Sequence, residues 1–154
     1  MKCDTLSPCV LGVLKHAGWS QSRKVTVDHW IAYYNNHQLA YSDEVIAFLE
    51  NFGGLRVTPP KATTNAYYPE ETVFDPIYAG QADLVNEWAE ALNESFCPVG
   101  SIWNDRAVLV LSDDGNFYGI SNLGIHHVGN DLASALEMLI APTAAPELVH
   151  RVEG

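Results

Sequence analysis

Between Val99 and Val128 four β-favouring runs follow one another with only turn residues between them: "VGSIW", "RAVLVL", "NFYGIS" and "IHHV". The second and third are joined by Asp113-Asp114-Gly115, residues that tolerate positive φ and so close a tight hairpin. Runs in this order predict an antiparallel meander. "LRVTPP" (55–60) predicts a short strand stopped by two prolines, and "TVFDP" (72–76) a further edge strand.

Helices flank this block. Ser7-Pro8 is a helix start, a capping hydroxyl followed by a residue with no N–H to satisfy, and Val10, Leu11, Val13, Leu14 and Ala17 supply its apolar stripe before Gly18. A second helix is expected from about Thr26, with Trp30, Ile31 and Tyr34 on one face. A third runs from about Ser42 through Val45, Ile46, Phe48, Leu49 and Phe52 to "FGGL", where a glycine can take the left-handed conformation that closes a helix. Residues 61–71 read as an exposed loop, 81–93 as a mid-chain helix, and "NDLASALEMLI" (130–140) as a closing helix. The Ala/Pro-rich stretch from Ala141 makes 141–154 an expected flexible tail. Helices, then a meander, then a last helix predict a single α+β domain over residues 1–140 with an antiparallel sheet of several strands. A chain of 154 residues suits one such core.

The formal charge of −11 narrows the function. Residues 42–94 alone carry ten acids against Arg56 and Lys61. Direct nucleic-acid binding needs Lys and Arg on phosphates and is not expected, whereas a basic protein partner is. The apolar runs fall far short of the roughly 20 residues of a membrane span, so no membrane partner is expected. Three cysteines without metal-type spacing predict a reduced, cytoplasmic protein, and the sequence leaves its oligomeric state open.

Chemistry-bearing patterns are few. "HAGWSQSR" (16–23) places serines, a histidine and an arginine together, but no general base or orienting group is readable for Ser20 or Ser22. It reads as a corner, with Trp19 covering a helix end and Arg23 seeking a carboxylate or carbonyl. His126 and His127, if on a strand, point to opposite faces and make a poor metal pair. "FGGL" lacks the lysine of a phosphate-binding loop, and "DDGN" lacks the alternating oxygen ligands of a calcium loop. No catalytic residue, cofactor or metal is expected.

In order along the chain, "AGWSQSRKV" (17–25), "FLENFGGLRV" (48–57), "CPVGSIWNDRAVLVLSDDGNFYG" (97–119) and "GNDLASALEMLI" (129–140) resemble the SUKH superfamily, in particular its third subgroup of bacterial immunity-like proteins. The resemblance covers most of the chain from Leu11 to Ile140. It implies a single α+β domain that binds and neutralises a toxin domain, such as a nuclease or nucleic-acid deaminase used between competing bacteria. Other members are intracellular adaptors, so an adaptor or regulatory module is the alternative reading. After "PVG" the family more often has a glutamate where this chain has Ser101, so any partner contact made by that glutamate does not carry over.

Two surfaces are candidates for the partner. On the 81–93 helix, Leu84, Val85, Trp88 and Leu92 form the apolar stripe. Asp83, Glu87, Glu90 and Glu94 fall at steps of four, three and four along another face, with no lysine or arginine between them. In the loop "NAYYPEET" (65–72), Tyr67 and Tyr68 are interface-type residues and Glu70 and Glu71 keep the negative sign. Trp103, where a hairpin begins, is a third choice.

Overall fold

Among the residues that the computed structural model describes, 6–59 and 70–152, there are six helices and seven strands. Three helices lead: α1 (Pro8–His16), α2 (Asp28–Asn36) and α3 (Asp43–Phe52). Ser7 and Ser42 cap α1 and α3 by accepting from the amides of Val10 and Val45, both at 3.3 Å. The α2 helix has no side-chain cap and starts two residues after Thr26. Strands β1 (Arg56–Val57) and β2 (Thr72–Val73) follow, then the one-turn α4 (Pro76–Ala79) and the longer α5 (Ala82–Leu92). The meander is β3 (Phe96–Ile102), β4 (Ala107–Ser112), β5 (Phe117–Ser121) and β6 (Gly124–Gly129). The chain closes with α6 (Leu132–Ile140) and β7 (Glu147–Arg151).

All seven strands pair antiparallel in strict chain order, β1 to β7. Opposed residues share a face of a sheet, so Val108, Ile120, Ile125 and His150 lie on one face, and Leu109, Gly119, His126 and Leu148 on the other. The first face is covered by α5, whose Trp88 ring lies 6.4 Å from that of His150. The second is covered by α3, through Phe48 against Phe117 at 5.7 Å, and by α6. At Gly129, opposite Phe117, a Cβ would sit 2.4 Å from the amide nitrogen of Ala135 in α6, so only glycine lets that helix approach. Cover on both faces explains why "RAVLVL" is a continuous apolar run, without the alternation of a half-exposed strand.

Three features differ from the sequence expectations. First, β2 is not an edge strand: it lies between β1 and β3, and the two-residue β1 forms that edge. Second, Asp75-Pro76 opens α4, with the Asp75 carboxylate accepting from the amides of Ile77 and Tyr78. Third, the expected flexible tail contains β7, which pairs with β6 along five residues interrupted by a bulge. The β6–β7 approach is so close that a Cβ at Gly124 would lie 1.9 Å from the carbonyl oxygen of His150.

The centre of the core is aromatic. Phe48, Phe52 and Phe74 pack within 5.2 to 5.8 Å of one another, and the buried Tyr34 donates its hydroxyl to the Pro98 carbonyl at 2.6 Å. Burial pushes the neighbouring Cys97 thiol up to about 12, which keeps it protonated and inert.

Candidate functional site

The α5 helix is built to be held on one side and charged on the other. Val85 is fully buried, and Leu84, Trp88 and Leu92 are half-buried against the sheet. The helix ends where Asn93 enters the left-handed region (φ 51°), and the Glu94 amide closes back on the Ala89 carbonyl at 2.9 Å. Asp83, Glu87 and Glu90 are exposed along the helix; Glu94, also exposed, stands past the closure.

These carboxylates are poorly compensated. No Lys, Arg or His occurs in α5, and among the described residues none of the four acids forms an ion pair. Like charges spaced three or four apart each cost a helix a few tenths of a kcal/mol, roughly 0.2–0.5. Glu90 sits in the last turn, where the helix dipole favours a cation. The row runs between two phenols: burial and then Asp83 push Tyr33 up, while burial and then Glu94 do so for Tyr118.

Beside this row runs an open groove of about 1030 Å³. Leu84, Trp88 and Leu92 line its helix side and Val149 and Val152 its strand side, with Glu87, His150 and Arg151 as its ionisable lining groups. Sequence reasoning assigned the α5 stripe wholly to burial and missed the groove, because the opposing wall belongs to β7, read as tail. The pattern "ELVHR" was its only signal, and five residues with one apolar pair do not distinguish a strand from a tail.

The second candidate surface is organised differently. Tyr67 and Tyr68 lie outside the described residues. Glu71 pairs with Arg56 at 2.5 Å, and Glu70 pairs with Arg106, so both carboxylates have internal cations. Asn104 joins them, accepting from the Glu71 amide at 2.8 Å and donating to the Glu70 carboxylate at 3.0 Å. These bonds pin the β3–β4 turn, where Trp103, Asn104 and Asp105 all have positive φ. Ser101 is buried and donates to Asp105 at 2.9 Å. Glu70 and Glu71 thus brace a turn near the β1 end of the sheet, while the α5 row flanks the β7 end.

The remaining chemistry-bearing residues are also engaged structurally. The Trp19 indole donates to Asn51 Oδ1 at 2.9 Å, and Arg23 donates to the carbonyls of Asn51 and Gly53 at 2.9 and 2.8 Å, so "HAGWSQSR" is a corner that caps α3. His126 shares a hydrogen bond with Ser121 at 3.1 Å and His127 one with Asn130 at 2.8 Å, on opposite faces of the sheet. Among the described residues no group of three His, Cys, Asp or Glu is placed to hold a metal ion, and no helix is long and apolar enough to cross a membrane.

Residues 6–142 match the family model described as SUKH-3 immunity protein. Searches of curated proteins and of solved structures found no match.

Proposed function

Because the chain belongs to the SUKH-3 immunity protein family, we propose that it binds a cognate toxin domain in the cytoplasm and neutralises it by occluding its active surface, with no catalysis of its own. The observation that carries this reading is the exposed row Asp83, Glu87, Glu90 and Glu94, unpaired among the described residues and set beside an apolar groove. A toxin that cuts or modifies nucleic acid needs a positive surface for phosphates. Carboxylates presented by an inhibitor steer onto such a surface, raising the rate of encounter more than the final affinity. The partner is therefore a basic nuclease or nucleic-acid-modifying domain. Tyr67 and Tyr68 stand as a second contact, while Glu70 and Glu71 contribute mainly by bracing the turn beside them.

The test is a binding titration against the toxin domain encoded beside the gene for this chain, at low and at physiological salt. The variant D83N/E87Q/E90Q/E94Q is expected to lower the low-salt on-rate by about tenfold or more and to flatten its salt dependence. An unchanged low-salt on-rate would remove the row from the interface. Truncating Tyr67 and Tyr68 to alanine with full binding retained would do the same for the loop.

A further inference from the structure

The groove beside α5 has one wall that charge alone does not use, because that wall is the edge strand of the sheet. Among the described residues no strand pairs with the outer side of β7, so its outward amides and carbonyls are open to a further strand. Val149 and Val152 on this side are 39% and 44% exposed, facing Leu84, Trp88 and Leu92 across the groove. A helix lying along an edge strand forms a slot for an extended chain. The backbone of that chain bonds to the strand, and alternate side chains drop between strand and helix.

The charge of the helix wall selects the occupant. The slot's helix wall carries Glu87, with Asp83 and Glu90 on the same helix and no cation in α5, while its strand wall carries Arg151 and His150. An extended segment with Lys or Arg among apolar residues complements the helix wall, whose three exposed carboxylates outnumber the single Arg151 opposite. A second copy of this chain fits poorly, since it carries the same −11 and the same row of carboxylates. We propose that an extended basic segment of the partner adds to β7 as an eighth strand, seating apolar side chains beside Trp88 and its cations over Glu87 and Glu90. This rests on the reading of the partner as a basic toxin domain.

The experiment uses the full chain and the toxin domain encoded beside its gene, with two readouts. Hydrogen exchange of residues 147–151 is compared free and bound, and strand addition is expected to slow it by at least about tenfold. Ala91→Trp, at an exposed position on the rim of the slot, is expected to leave the thermal midpoint in place and to speed dissociation by about tenfold or more. Binding with unchanged exchange across 147–151, or undiminished binding by folded A91W, overturns strand addition while leaving the immunity reading intact. A free chain that already sediments as a dimer with β7 protected assigns the edge to a second copy and also overturns the proposal. Failure of the wild-type chain to bind the toxin domain overturns the immunity reading itself, and strand addition falls with it.

Discussion

The guanidinium of Arg23 donates to the carbonyls of Asn51 and Gly53, groups that the end of α3 leaves without helical partners. Asn51 answers by donating its side-chain amide to the Arg23 carbonyl at 2.9 Å while its Oδ1 holds Trp19. The contacts are local in space but span about thirty positions of sequence. That is why the sequence could supply the residue types at this corner and not their partners. Arg23→Ala is expected to lower stability by about 2 kcal/mol, the scale of hydrogen bonds made by a charged donor. Arg23→Lys should recover less than half of that loss, because one ammonium cannot reproduce the planar fork that reaches two carbonyls. Urea unfolding of the three proteins measures both, and a lysine variant as stable as wild type would show that charge alone matters there. At the same scale, Glu70 and Glu71 show why residue type does not identify an interface: their sign suits a basic partner, yet Arg106 and Arg56 already hold them.

Elements with strong local signals were legible in the sequence. The Asp113-Asp114-Gly115 hairpin, the Ser7 cap, the start of the third helix near Ser42 and the 130–140 helix each depend on residues within a few positions, and each formed. The α6 helix begins with Asp131, whose carboxylate accepts from the Ser134 amide at 2.8 Å. The elements that were misread are those stabilised from a distance. The short β2 is interior because Leu55 and Phe74 bring its neighbour to it, and β7 exists because β6 offers a partner edge. Gly124 is where that edge is made, with φ 140° and no room for a Cβ against the His150 carbonyl. Gly124→Ala is expected to cost about 1–3 kcal/mol through backbone strain, and to raise hydrogen exchange in 147–151 more than in β3 or β4. If exchange rose equally in all strands, β7 would be no separate unit, and the wall of the groove would be as firm as the centre of the sheet.

For the whole molecule, charge and topology answer different questions. A net charge of −11 on one domain repels itself in the compact state. Raising NaCl from about 10 mM to about 0.2 M shortens the screening length severalfold and is expected to raise the thermal midpoint by a few degrees, measured by calorimetry; a flat midpoint would mean that the acids are spaced widely enough not to oppose folding. The same screening slows encounter with a basic partner, so stability and association should move in opposite directions with salt. By itself the sequence determined the α+β class, the antiparallel meander, the helix starts and the acidic balance, because periodicity, caps, turn residues and charge are written in neighbouring positions. Only the tertiary structure decided which carboxylates are unpaired among the described residues and which are spent on Arg56 and Arg106. It alone made a strand of the tail and set that strand beside α5 as a groove. Those outcomes depend on groups that meet only after the chain has folded, when pairing energies between distant residues outweigh what each segment prefers alone.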